Sequence, residues 1–150
     1  MLVRTHLAFA VFFSLLIAKF FVPANTGLFI LVAVLASFIP DLDHPNSSAN
    51  NTLKVTKVIP FFFKHRGLFH SLFFGILLGG IVWFLKDFEL GVALCTGFLS
   101  HLLMDTITLE GINFLYPISR LHIAGPVRTG SWAETLVFLC VLAGIVWMVV

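Results

Sequence analysis

Metal-ligating side chains recur in three short strings of this chain and once near its start. Pro40-Asp41-Leu42-Asp43-His44-Pro45 sets three oxygen and nitrogen donors within four residues. Pro45 biases His44 toward extended backbone, and an Asp-x-Asp alternation in extended backbone aims both carboxylates to one side. The plainer reading, carboxylates closing a helix, conflicts with the negative C-terminal dipole, and a nearby cation would remove that conflict. In His65-Arg66-Gly67-Leu68-Phe69-His70-Ser71 the glycine breaks the backbone, so His65 is expected from a loop and His70 from the first turns of the next helix. His101 and Asp105, four apart, share one helix face and can bind one ion. With His6 the candidate ligands are His6, Asp41, Asp43, His44, His65, His70, His101 and Asp105. That is more than one tetrahedral ion needs, so one to three divalent ions are expected, with the surplus groups supporting the ligands or acting as a base. Nitrogen and oxygen donors without cysteine suit zinc, with manganese or iron as alternatives. Paired metals would activate a water and clamp the oxygens of an ester or phosphoester, with Asp41 or Asp43 as general base. Arg66, beside a helix N-terminus, would hold an anionic group of the substrate.

The elements that must carry these residues are set by composition. The chain has 150 residues, 59% hydrophobic and 11% charged, with mean hydropathy +1.06. A water-soluble domain is about a quarter charged, so lipid is the solvent here. Five apolar runs approach the ~20 residues that cross a bilayer core: Leu7 to Val22, Gly27 to Ile39, Leu68 to Leu85, Leu90 to Leu109 and Trp132 to Val150. The sequence therefore predicts a single all-α domain over residues 1–150, an integral membrane bundle of about five transmembrane helices. The first run lacks a small-x-small cleavage pattern and is read as a helix, not a signal peptide. The second is short, which predicts a recessed C-terminal end. Gly75-x-x-x-Gly79 predicts close packing of the third helix on a neighbour. Cys95 and Cys140 lie in apolar runs and are expected to be buried thiols, not a bridge.

Joining the runs with a cytoplasmic N-terminus puts Arg4, Lys54, Lys57, Lys64, Arg66, Arg120 and Arg128 inside and only Lys19 and Lys86 outside. This is the positive-inside distribution of a plasma or inner membrane protein. On that topology, fixed by Lys and Arg alone, the His and Asp candidates fall independently at one depth, at the cytoplasmic ends of four helices. Ionisable groups inside a span cost about 2.5 to 3.5 kcal/mol each near its centre, so they persist when paired, hydrated or coordinated. Residues 40 to 67 and 110 to 131 become cytoplasmic loops, the first with an Asn/Ser-rich middle that reads as a lid or linker. Arg120 and Arg128 are further candidate anion binders, Ser71 and Ser100 candidate hydrogen-bond donors, and His122 an interfacial residue.

In this combination and order the chain resembles the YdjM-type inner-membrane proteins over nearly its whole length. The likeness rests on Thr5-His6, Pro40-Asp41-x-Asp43-His44, His65-Arg66-Gly67-x-x-His70-Ser71, Gly97-x-x-Ser100-His101-x-x-x-Asp105, and Gly111 followed by Pro117. The resemblance implies metal-dependent hydrolase chemistry and no particular substrate. More distantly, His6, the Asp41 cluster and Gly-x-x-x-His-x-x-x-Asp look like the ligand pattern of zinc-dependent phospholipase C and P1-type nucleases. The chain departs from those enzymes in its membrane character and in lacking an evident N-terminal Trp ligand.

Three functions compete at this point. A hydrolase at the cytoplasmic leaflet would take a lipid or another membrane-delivered ester or phosphoester. A metal-ion transporter would need ligands along the full depth of the bundle, and the outer half offers none. A noncatalytic metal-binding membrane protein would share the ligands and lack an open coordination position. The small, dispersed net charge of +2 gives no reason to expect nucleic acid.

Overall fold

A computed structural model describes residues 1–43, 68–119 and 121–150, without the side chains of Leu42 and Asp43. Five helices carry the fold: α1 (Val3–Phe21), α2 (Thr26–Ala36), α3 (Leu72–Leu85), α4 (Phe88–Thr106) and α5 (Trp132–Val149). Three of them, α1, α4 and α5, are long and apolar enough to cross a membrane, while α2 and α3 are shorter apolar helices. At 11 residues, α2 is only ~17 Å long, well short of a ~30 Å hydrocarbon core. The helix is short, as the second apolar run predicts. Short 3₁₀ turns at Pro40–Asp43 and Leu68–His70 follow α2 and precede α3.

The helices alternate in direction. The end of α1 meets the starts of α2 and α4 through Phe21 against Phe29 and Phe88. Arg4 lies over the Phe138 ring and Lys19 over that of Trp147, so α1 and α5 run parallel. Helix α4 is the hub: α1, α2 and α3 all pack on it, whereas α5 packs on α1. Small residues bring the backbones close. A methyl group at Gly75 would strike Phe98, and one at Gly79 would strike Cys95 and the Gly91 carbonyl, so the Gly-x-x-x-Gly face of α3 does seat on α4. Gly97 of α4 meets the Ala33 backbone of α2 in the same way.

Most helix starts are capped by their own sequence. Asn25 accepts the Leu28 N–H at 2.9 Å, Ser71 that of Phe74 at 3.3 Å and Asp87 that of Leu90 at 3.1 Å. Helix α1 is different: Leu2 occupies the N-cap and offers no side-chain acceptor. The lipid-facing sides carry exposed Phe84, Phe20 and Trp147, a surface that water would not tolerate and hydrocarbon does. Between α4 and α5, the chain pairs Thr108 with Val127 and Ile112 with Ile123 as isolated bridges. Ile112 joins Phe98 and Leu102 in a small core that also receives Ile39, Leu72 and Phe114.

Four expectations need correction. The backbone at Pro40–Asp43 is a 3₁₀ turn, so the extended-strand alternation invoked for Asp41 and Asp43 does not hold; residues two apart on such a turn diverge. Because α2 ends at Ala36, Asp41 lies beyond its last turn and the dipole conflict is weaker than the sequence suggested. His70 sits in the 3₁₀ turn ahead of α3, since Ser71 takes the cap position. Both cysteines are free, yet Cys140 is exposed and Cys95 only half-buried, because an apolar run in a membrane chain faces lipid as often as protein. The lid reading of residues 44–67 lies outside the described residues.

Candidate metal centre

The same end of the bundle receives the start of α1, the turn after α2, the turn before α3 and the end of α4. Each delivers a ligand. His6 comes from the first turns of α1, Asp41 from Pro40–Asp43, His70 from Leu68–His70, and His101 and Asp105 from consecutive turns of α4. Five of the eight sequence candidates are thereby brought together. His44, His65 and Arg66 lie outside the described residues, as does the side chain of Asp43.

Asp105 is central. Its Oδ1 is 3.4 Å from His6 Nε2, while its Oδ2 is 3.5 Å from His101 Nε2 and 3.8 Å from His70 Nε2. His101 Nε2 is also 3.7 Å from Asp41 Oδ1. The Met1 amino nitrogen lies 3.4 Å from Asp105 Oδ1. The imidazoles of His6 and His101 stack with centroids 4.0 Å apart and planes 7° from parallel. His6, His70, His101 and Asp105 are all buried, whereas the Asp41 side chain keeps 31% of its surface exposed. Asp41 is therefore the open member of the group.

The hydrogen bonding of His101 fixes what its other nitrogen must do. Its Nδ1 is 2.8 Å from the Ser37 carbonyl; a carbonyl only accepts, so Nδ1 carries a proton. In the neutral ring Nε2 then presents a lone pair to the oxygens of Asp105 and Asp41. That nitrogen is buried without a hydrogen-bond partner, as is His6 Nδ1. A lone pair facing two carboxylates is repulsive unless a positive charge lies between them. Either a proton on the ring or a cation satisfies the geometry, and a carbonyl holding the far nitrogen is the usual support of a metal-bound histidine.

The spacing suits a metal. Two donors each 2.0–2.1 Å from a tetrahedral ion stand ~3.4 Å apart, close to the separations of 3.4, 3.5 and 3.7 Å found here. Two triads have all their donor atoms within 4.8 Å of one another: His6, His101 and Asp105, and Asp41, His70 and His101. The two oxygens of Asp105 face different imidazoles, as a carboxylate between two ions would.

Other sequence candidates play lesser parts. The Ser71 hydroxyl donates to the Leu68 carbonyl at 2.6 Å and that of Ser100 to the Gly97 carbonyl at 2.7 Å, so both serve their own turns. His122 is exposed beside Asn113, with 3.2 Å from Nδ1 to Oδ1. Arg128 is exposed and Arg120 is not among the described residues.

Sequence reasoning missed two contributors. One is Ser37, which acts through its backbone and left no signal in its residue type. The other is Glu134 of α5, almost fully buried. Its Oε1 accepts from the Leu2 N–H at 2.6 Å and the Thr5 hydroxyl at 2.9 Å, and its Oε2 from the Gly130 N–H at 2.6 Å. Glu134 thus supplies, from another helix, the cap that α1 lacks, next to His6. A lone acid at the start of an apolar helix was the available signal.

Comparison with known proteins agrees with this architecture. No solved structure matches the chain. It is 35% identical over 128 residues to the inner membrane protein YdjM of Escherichia coli, covering 77% of this chain and 64% of that protein. It is 32% identical over 106 residues to the protein YvsG of Bacillus subtilis, covering 69% of this chain and 66% of that one. The chain thus spans slightly under two thirds of the length of the curated relatives it matches. The family described as YdjM inner membrane protein matches over residues 1–150, and with three candidate spans in the bundle the chain belongs to that family of inner membrane proteins.

Proposed function

We propose that the chain is a membrane-embedded metal-dependent hydrolase whose site faces the cytoplasmic leaflet, acting on an ester or phosphoester of a lipid or another membrane-delivered substrate. The observation that carries this reading is His101 Nε2, set against the carboxylates of Asp105 and Asp41 by the Ser37 carbonyl that holds Nδ1. In this reading His6, His70, His101 and Asp105 hold one or more divalent ions, zinc being the first choice for nitrogen and oxygen donors. Bound there, such an ion supplies Lewis acidity toward a substrate oxygen and an attacking water.

Asp41 is the residue placed to move a proton. It stands at the edge of the group, reachable from outside, whereas Asp105 is sealed among the imidazoles. A general base needs access to a water and to bulk, and only Asp41 has it among the described carboxylates of the cluster. Arg66 and Asp43 keep the anion-holding and alternative base roles that their motifs suggest. The cytoplasmic orientation rests on the distribution of Lys and Arg. In this reading the pattern of His6, Asp41, His101 and Asp105 would serve the chemistry that the sequence resemblance to zinc phospholipase C and P1-type nucleases implies.

Elemental mass spectrometry on detergent-purified protein tests the metal, with release of headgroup or fatty acid from phospholipid vesicles as the activity assay. The wild type should hold at least one transition metal per chain; His101→Ala and Asp105→Asn should lose most of it while staying folded. Asp41→Asn should depress turnover far more than metal content. A wild type that stays metal-free after incubation with zinc and manganese would refute the reading and leave a protonated His–Asp cluster.

A further inference from the structure

Helix α4 has 19 residues, ~28 Å at the helical rise, close to the ~30 Å thickness of a hydrocarbon core. Its two ends therefore lie near the two edges of the hydrocarbon, and the connection to α5, residues 107–131, begins at the edge where Asp105 stands. The sequence reads most of this connection as a loop in water. Its side chains argue against water. Ile112 and Phe114 turn inward, to the core they share with Phe98 and Leu102, but Leu109, Leu115, Tyr116, Ile118, Leu121 and Ile123 are exposed, Ile118 to 81% and Leu121 to 54%. So much bare apolar surface on one short connection marks an interaction face.

The backbone of the connection bonds to itself. Ile112 and Ile123 exchange N–H donations to each other's carbonyls, both at 2.9 Å. Leu109 donates to the Val127 carbonyl and Val127 to that of Ile107, each at 3.0 Å, Gly125 donates to Thr108 at 2.9 Å, and Ser119 closes the tip on the Leu115 carbonyl at 3.0 Å. Gly111, at φ +56°, permits the close return of the chain beside Ile123 and Ala124. A backbone that uses its own polar groups while apolar side chains turn outward suits a medium poor in water; a solvated loop does the reverse. The exposed surface also continues the lipid-facing one at both ends. Leu72 donates to the Phe114 carbonyl at 2.9 Å, and the next residue, Phe73, is exposed on α3, while the exposed Trp132 opens α5. Tyr116 and Trp132 are aromatics of the kind that settle at headgroup level, and the exposed Arg128 of the same connection offers a charge to lipid phosphate.

We infer that the α4–α5 connection is a membrane-interface platform, lying in the headgroup layer of the leaflet at the cluster end with Leu115, Ile118 and Leu121 set into the edge of the hydrocarbon. Its partner is the phospholipid surface itself. The His–Asp cluster, whose Asp105 stands two residues before the connection, then lies at headgroup depth. This holds whether or not the cluster cleaves anything, because it rests on the connection and not on the ligands.

Nitroxide labels read the depth of the tip. The exposed Cys140 is replaced by Ala, and the half-buried Cys95 is kept, its own labelling being measured in that parent protein. Ile118→Cys and Leu121→Cys, at positions exposed enough that a label displaces no packing, are studied in phospholipid nanodiscs with the exposed Leu139→Cys of α5 as the reference within a span. Relaxation of each label by oxygen, which partitions into hydrocarbon, is compared with relaxation by a water-soluble nickel chelate. Oxygen should act more strongly than nickel at both tip labels, the order shown by Leu139→Cys. The reverse order at either tip label, that of a loop in water, would overturn the inference. Exclusion of both reagents would overturn it as well, since a second copy or another protein would then cover the face that lipid is expected to touch.

Discussion

Removing Glu134 should loosen the metal centre without touching a ligand. Its carboxylate accepts from Leu2, Thr5 and Gly130 at 2.6, 2.9 and 2.6 Å. Hydrogen bonds to a charged acceptor contribute about 1.5–3 kcal/mol each, and three would total about 4–9 kcal/mol if they added. They do not add here. The Leu2 and Gly130 N–H groups lie at the end of the bundle, where water can replace the lost acceptor, while the Thr5 hydroxyl is fully buried and stays unsatisfied. One lost charged bond plus the helix-dipole contribution, about 0.3–1 kcal/mol, gives a cost of about 2–4 kcal/mol for Glu134→Ala. His6 sits one residue after Thr5 on the turn that this cap holds. Metal affinity should therefore fall about 10–100-fold, the range found when outer groups that orient ligands are removed. Thr5→Val, which deletes one bond and keeps the shape, should cost about 1 kcal/mol. Competition with a zinc chelator reads the affinity, and thermal unfolding in detergent reads the stability. Glu134→Ala with wild-type affinity and wild-type unfolding would show that the start of α1 is held by packing alone.

Two further outcomes follow from the same geometry. Gly97→Ala should push α2 off α4, because a methyl group there meets the rigid Ala33 backbone and not a side chain that can swing away; a destabilisation of about 1–3 kcal/mol is expected, together with metal loss as the Ser37 carbonyl draws away from His101. Thermal unfolding and metal content measured on one sample test both halves. Metal occupancy should also fall as the pH is lowered, since an imidazole binds a metal only when the donor nitrogen has no proton; occupancy that held until the carboxylates themselves were protonated would point to carboxylates as the main ligands.

What the sequence revealed and what it hid follow from the kind of information each feature carries. Long apolar runs and Lys/Arg placement have one physical cause, transfer into lipid, so the five helices were legible to within a few residues. His101 and Asp105 were legible as a pair because helical periodicity alone puts them on one face. His6 and His70 were legible by type and position, as ionisable groups at the ends of apolar runs. The local backbone at Pro40–Asp43 was not: the same Asp-x-Asp string fits an extended stretch or a 3₁₀ turn, and tertiary contact with α4 decides between them. Ser37 was invisible because its carbonyl is common to every residue. Glu134 was visible yet unassigned, since its partners are backbone N–H groups on a helix far away in sequence.

The interior of the bundle also bears on which function the cluster serves. A conducting path would need polar groups from the His–Asp cluster through to the other end. Beyond the cluster, the space among α1, α2 and α4 is closed by Ala18, Phe29 and Ala93, with Ile17, Phe21 and Val32 packed around them. Beyond Thr5 and Ser100 at the cluster, the buried hydroxyls of those helices are each committed to their own backbone: Ser14 donates to the Val11 carbonyl at 2.9 Å and Thr96 to that of Val92 at 2.8 Å. An ion leaving Asp105 for the far side would meet no free ligand in that layer, and moving a charge through hydrocarbon is what intramembrane ligands exist to avoid. The only opening of the cluster among the described residues is at Asp41, on the side from which it was built. A centre that is sealed behind and open in front can exchange a substrate and a product through one mouth, which the proposed hydrolysis requires.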